Sequence, residues 1–461
     1  MQLLVSKRNF AAPRLHRETQ TLRSRWLLWL TAGIILSLSS LAFSSTVAVG
    51  NCTKFPFYPT IQQAVSSVTF GSTIYICPGL YHEQVHITYI NLTLIGVSAN
   101  GSSGAAASGA NNPVILPPAG GLVANATDLN DGSQIAAQIY VDSPKTYTTP
   151  IVVNISNITV DGTGNGISCS PDVVGIYYQN ASGTINHVVS RYQEASPLSG
   201  CQGGLGIFAQ SGYGSGLTSA VTIENSSVHD YQKNGITVDG SGTVATITGN
   251  YVVGSGATTV IAQNGIQMSV GASGKIMNNT VTDDVYINPV GGPYYSASGI
   301  LLYDSGGNST TPVTVSTNTV SNTQGGIVTF GDSSGTADYN VITSNKITAS
   351  PAAGIFQIDG IDMCSNNNTA KTNTVFNSSG SGVHIDSSCT ESTGPSGNNT
   401  TVSGTTANEA CVGVLNGNGT GNSVSGSITY NVVADSAAGD SCPAGTSGRI
   451  TPRPKPSPKG R

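Results

Sequence analysis

The feature that most constrains this chain is a glycine followed by an aliphatic residue that returns at near-constant spacing. The pairs are Gly175-Ile176, Gly206-Ile207, Gly235-Ile236, Gly265-Ile266, Gly299-Ile300, Gly326-Ile327, Gly354-Ile355, Gly382-Val383 and Gly413-Val414, each 27 to 34 residues after the last. A period of this size means a stack of equivalent units, each burying its apolar face against its neighbours. A second motif keeps step with the first. It reads Ile247-x-x-Asn250-x-Val252, Ile276-x-x-Asn279-x-Val281, Val315-x-x-Asn318-x-Val320 and Ile342-x-x-Asn345-x-Ile347, with Asn373 and Val375 as its tail. An Asn at one fixed phase suits a stacked turn, because Asn enters the left-handed backbone region readily. Stacked amides also hydrogen-bond from layer to layer.

Around each glycine the apolar residues alternate, as in Ile236 and Val238, Ile266 and Met268, and Val383 and Ile385. That is the period of a strand, and the Val, Ile and Thr content agrees. The expected fold is all-β: a single right-handed parallel β-helix, a solenoid of about 28 residues per coil. At its entrance, Tyr58 to Val65 reads as a short amphipathic helix that caps the open end of the stack. Three alternating segments follow, at Ser72–Gly79, Leu80–Ile87 and Asn91–Gly96, with Pro78-Gly79 and Tyr81-x-Glu83 between strands. The repeats resemble the right-handed β-helix superfamily that includes the pectate lyases. The entrance resembles that of extracellular members, pectin methylesterases among them. The resemblance implies that Glu83 and His86 belong to scaffold rather than to an acid–base pair.

Six basic residues precede Trp26, an apolar run extends from Trp26 to Leu36, and small residues follow. This order marks residues 1–44 as a secretory signal, cut between Ala42 and Gly50, or else as an uncleaved anchor. Residues 51–445 form the β-helix. Residues 446–461 are basic, Pro-rich and expected to be disordered. The protein is expected to be secreted or held at the cell surface or periplasm, with no membrane contact after cleavage. Between Asn51 and Gly445 there are 7 Lys and Arg against 22 Asp and Glu, a formal charge of −15. So acidic a body excludes nucleic acid as a partner and repels anionic polysaccharide unless a cation bridges the two. All eight Cys follow the apolar run, which favours disulfides in an exported chain. Cys169 and Cys201 share a phase on successive coils, and Cys52–Cys77, Cys364–Cys389 and Cys411–Cys442 are the sequential pairs. Zinc lacks its usual Cys-x-x-Cys spacing here.

A β-helix interior is packed, so chemistry belongs on outward positions. With Ile236 and Val238 inward, the outward residues of coils 299–386 are Leu301, Tyr303, Val328, Phe330, Phe356, Ile358, His384 and Asp386. Carboxylates close these strands: Asp304, Asp332, Asp359 and Asp386 are the candidate catalytic residues. Tyr303, Phe330, Phe356 and His384, with Tyr294 and Tyr295 from a long loop, are the candidate substrate-binding residues. Asp362 adds a second acid three residues after Asp359. Two carboxylates one coil apart, about 4.8 Å, repel by roughly 3.5 kcal/mol at an effective dielectric near 20. A shielded row must therefore share protons, splay, or recruit a cation. No motif demands a cofactor, and calcium at Asp332 and Asp359 is the ion such a row would take. The catalytic sets of polygalacturonases, pectin methylesterases and pectate lyases do not transfer to this sequence. Two functions stand: a polysaccharide-cleaving hydrolase or lyase, and a non-catalytic surface protein that adheres or binds carbohydrate.

Overall fold

The alternating Val, Ile and Thr segments form strands that stack in parallel, coil upon coil. The computed structural model describes residues 44–98, 111–195, 197–287, 295–348, 359–376, 378, 380–408, 412–417 and 419–426, with short strands at Val433–Asp435 and Lys455–Pro456. Among these residues, three long sheets of 14, 11 and 13 strands run the length of the stack. Each coil visits them in turn. Thr243–Thr248, Tyr251–Thr258 and Asn264–Ser269 make one coil, and Ser273–Met277, Thr280–Tyr286 and Ser298–Tyr303 lie on it in register. The winding is that of a right-handed parallel β-helix, the hand that parallel crossovers take.

The third sheet carries the glycine steps. Ile176, Ile207, Ile236, Ile266, Ile300, Ile327, Ile361 and Val383 are register partners and form one fully buried inward column. Ile361 stands where the spacing predicts Ile355. Gly354 and Ile355 lie outside the described residues, and the repeat step at this coil is Gly360-Ile361. The physical reason is a close approach. A Cβ on Gly265 would strike Val281 of the second sheet and the carbonyl of Gly299 on the next coil. Gly360 makes the equivalent contacts, to Val375 and the carbonyl of Gly382.

The asparagine motif forms a buried ladder where the first sheet turns into the second. Asn250 Nδ2 donates to Asn279 Oδ1 at 2.9 Å, Asn279 to Asn318, Asn318 to Asn345 and Asn345 to Asn373, each at 3.0 Å. Each Nδ2 also donates to a backbone carbonyl of the first sheet one coil earlier, as Asn279 does to Ile247. The left-handed residue is not the ladder Asn, as the sequence suggests, but the one before it: Gly249, Asn278, Thr317, Ser344 and Thr372 all have φ between 54° and 68°. That kink turns the next amide inward.

The helix Ile61–Ser67 buries Ile61, Ala64 and Val65 at the entrance, with Thr60 as N-cap. Glu83 is scaffold: its carboxylate accepts the N–H groups of Ile61 and Gln62 at 2.8 and 2.9 Å. His86 bonds Asp142 at 2.6 Å and stacks on Tyr140. Cys52–Cys77, Cys169–Cys201 and Cys364–Cys389 are disulfide-bonded. Cys411 and Cys442 lie outside the described residues, as does the signal segment up to residue 43. Of the tail, only Lys455–Pro456 is described, as a strand parallel to Tyr295–Ser296. No described helix is long and apolar enough to cross a membrane.

The column yields a direct test. Ile266→Asp buries an unpaired charge and should cost several kcal/mol, lowering the melting temperature sharply. Val244→Asp, at a position 43% exposed, should melt near wild type. Equal melting of the two variants would overturn the inward assignment.

Candidate functional site

The outward face of the third sheet holds the candidate residues, and it is not an open stripe. Leu301 and Val328 are register partners at 0% and 1% exposure, although they point away from the coil interior. With Tyr303 they form a second small apolar cluster, against which Phe330 packs. Tyr303 and Phe330 stack at 5.8 Å with their planes 10° apart. The next two members of the Leu301 row are charged: Asp362 pairs with Val328, and His384 with Asp362. Phe356 and Ile358, expected outward here, lie outside the described residues; Asp362 and Cys364 hold the register positions beside Val328 and Phe330.

Two polar clusters result. The first joins Asp304 and Asp332 on adjacent coils. Asp304 ends its strand in the left-handed region, with φ of 45°. Its Oδ1 accepts the Asp332 N–H at 2.9 Å, and its Oδ2 accepts from Ser334 Oγ at 3.0 Å. Ser334 Oγ, with one proton to share, also lies 2.5 Å from Asp332 Oδ1 and bridges the pair, so these two carboxylate oxygens stand no more than 5.5 Å apart. The Tyr303 hydroxyl donates to the other oxygen of Asp332. Burial raises the Asp304 pKa to about 6, and the Asp332 charge adds to the rise. Burial would raise Asp332 too, but hydrogen bonds from Ser334 and Tyr303 outweigh it and hold that carboxyl below its usual range.

The second cluster surrounds His384. Asp359 Oδ2 lies 3.0 Å from His384 Nδ1, and Asp386 Oδ2 lies 3.9 Å from the same nitrogen. Asp359 is anchored by the Ser381 N–H, which donates to its Oδ1 at 2.6 Å. Asp386 accepts from Ser388 N–H at 2.7 Å, three residues before the Cys364–Cys389 bridge closes. Burial works against the imidazolium, yet the charges of Asp359, Asp386 and Asp362 prevail and push its pKa up to about 9.

The four expected carboxylates thus divide between two centres. Asp332 and Asp359, the expected calcium pair, have separate partners. Tyr295 is 42% exposed and lies against Tyr286, while Tyr294 lies outside the described residues. Asp239 is in line with Ser269 and Tyr303, not with Asp304. It accepts from Tyr213, Gln210 and Ser269, and burial raises its pKa. Beside the first cluster is a pair that sequence reasoning missed. Glu391, raised to about 8 by burial and by Asp338, accepts from Ala337 N–H at 3.0 Å and from the Asn366 amide. No local pattern marks it: Glu391 and Asp338 meet only because two turns fold onto each other.

Comparison with known proteins gives a likeness of fold. No family model matches, and no curated protein matches. Among solved structures, DFA-IIIase from Arthrobacter chlorophenolicus A6 in complex with DFA-III is 15% identical, with 85% of this chain and 86% of that chain covered and a TM-score of 0.44. A pectin methylesterase mutant in complex with a hexasaccharide is 14% identical, at 72% and 79% coverage and a TM-score of 0.30. XylC with xylose is 10% identical, at 79% and 75% coverage and a TM-score of 0.38.

The His384 cluster predicts a pH dependence of stability. The folded pKa of about 9 lies above the ordinary 6.5. The stabilisation is therefore complete below pH 6.5 and is lost as pH rises through about 9. Over that window in chelator-containing buffer, wild type should lose on the order of 3 kcal/mol relative to His384→Gln. Parallel pH–stability curves for the two proteins would show that the ring titrates like an ordinary histidine.

Proposed function

We propose that this protein is an exported carbohydrate-active enzyme that cleaves a neutral polysaccharide on the outer face of its third sheet. The observation that carries the reading is the Asp304–Asp332 pair. One carboxyl keeps its proton toward pH 6, and its neighbour stays ionised. Such a split assigns acid and base roles. Asp304 would protonate the leaving oxygen, and Asp332, steadied by Tyr303 and Ser334, would act as nucleophile or base. Oxygens no more than 5.5 Å apart are too close for an inverting pair, which needs about 6.5–9.5 Å. Phe330, the more open of the two stacked rings, offers a flat apolar surface beside the pair. The acidic body favours a neutral glycan over an anionic one. The signal-like N-terminus and three disulfides support export.

A second reading, glycan binding without cleavage, has its own observation. Asp304 is 7% exposed and caps the turn of the next coil through the Asp332 N–H, as a structural Asp does.

Neutral polysaccharides incubated with the purified protein should release new reducing ends. Asp304→Asn and Asp332→Asn should each lower turnover by at least about a hundredfold. Activity should need Asp304 protonated and Asp332 ionised, so it should fall as pH rises through about 6. Retention on a polysaccharide column without reducing ends would favour the binding protein. Cleavage that is unchanged in both variants would remove the pair from the chemistry.

A further inference from the structure

We propose that Asp359, Asp362 and His384 form a binding site for a divalent first-row transition-metal ion of the zinc or manganese type. One ligand atom from each residue lies within 4.8 Å of the others. The site is built by register. Asp362 and His384 face each other on adjacent parallel strands and point to the same side. Asp359 comes from the corner before Gly360, and the Ser381 N–H orients it so that its second oxygen meets the imidazole. Metal–ligand bonds of about 2.0–2.2 Å put the atoms of one shell roughly 3–4 Å apart. Small side-chain rotations would close the cluster onto an ion.

The chemistry of the donors selects the metal. Two carboxylates balance a dication, and an imidazole nitrogen is a ligand that calcium and magnesium do not favour. The neighbouring sulfur, Cys364, is tied in a disulfide and offers no thiolate. A separate observation points to a ligand. The row that contains Asp362 and His384 is apolar on the two preceding coils, where Leu301 and Val328 are buried. Asp362, at 0% exposure, continues that row. The imidazole can carry at most one positive charge against the three carboxylates of Asp359, Asp362 and Asp386, so the cluster keeps a net negative charge that a dication would offset. The site shares Asp359 with the calcium pair expected from the sequence, Asp332 and Asp359, but adds Asp362 and a nitrogen donor and leaves out Asp332.

The test uses the full exported protein, stripped with a chelator and titrated with zinc and with manganese by calorimetry. The expected result is one equivalent of at least one of these ions per chain. His384→Gln and Asp362→Asn should weaken binding tenfold or more, whereas Asp332→Asn should bind like wild type. Cobalt should give wild type the absorption bands of a nitrogen-containing shell, and His384→Gln should lose them. The inference is overturned if neither zinc nor manganese binds, if His384→Gln binds as tightly as wild type, or if equimolar calcium displaces the ion. It is also overturned if wild type with cobalt shows only the spectrum of the aqueous ion, a readout that holds even where a variant fails to fold. Because these readouts are of metal binding, they stand apart from whether a glycan is cleaved.

Discussion

The structure depends on how closely one coil lies on the next where the third sheet begins. At Gly206, Gly235, Gly265, Gly299, Gly326 and Gly360, the space a side chain would fill is taken by the carbonyl of the next coil's glycine and a branched side chain of the second sheet. With those six points fixed, every later residue of the third sheet has an assigned partner above and below. Inward residues become an aliphatic column, and outward residues become rows. The asparagine ladder repeats the arrangement at the corner between the first two sheets, with amides in place of a backbone contact.

This layering makes the electrostatics of the outer face demanding. Carboxylates at strand ends are set one or two coils apart, on a face that is largely shielded. The protein meets the cost in three ways. Upstream, Asp239 is surrounded by donors from Tyr213, Gln210 and Ser269. At Asp304 and Asp332 the environments diverge: burial raises the pKa of Asp304 to about 6, while hydrogen bonds hold Asp332 below the usual carboxylate range. Around His384, three carboxylates share one imidazolium. The first is surrounded by donors. The other two leave a carboxyl and an imidazole whose proton affinities are raised above their ordinary values.

The two centres share one face. Phe330, two residues before Asp332, is in register with Cys364, and Asp362 lies on that same strand. A glycan bound along the solenoid axis, as proposed above, would meet the stacked rings, the Asp304–Asp332 pair and the His384 cluster within a few coils. The Cys364–Cys389 bridge holds two of these coils together where the repeat is least regular.

The period, the strand alternation, the entrance cap and the asparagine ladder were all legible in the sequence, because each repeats and the repeat averages out local exceptions. The sequence by itself determined a parallel β-helix, most of its inward column and the row of carboxylates at the ends of the outer strands. It did not determine which glycine carries the step between Gly326 and Gly382. Gly354-Ile355 and Gly360-Ile361 read alike, and even spacing favours the first, yet the carbonyl and valine contacts of the neighbouring coils select the second. That shift of six residues put Asp362 opposite His384. Only the tertiary structure could decide which carboxylates meet, because Asp304 with Asp332, Asp359 with His384, and Glu391 with Asp338 are brought together by coil stacking and turn shape. Their proton affinities follow from burial and neighbours, which a one-dimensional pattern does not contain.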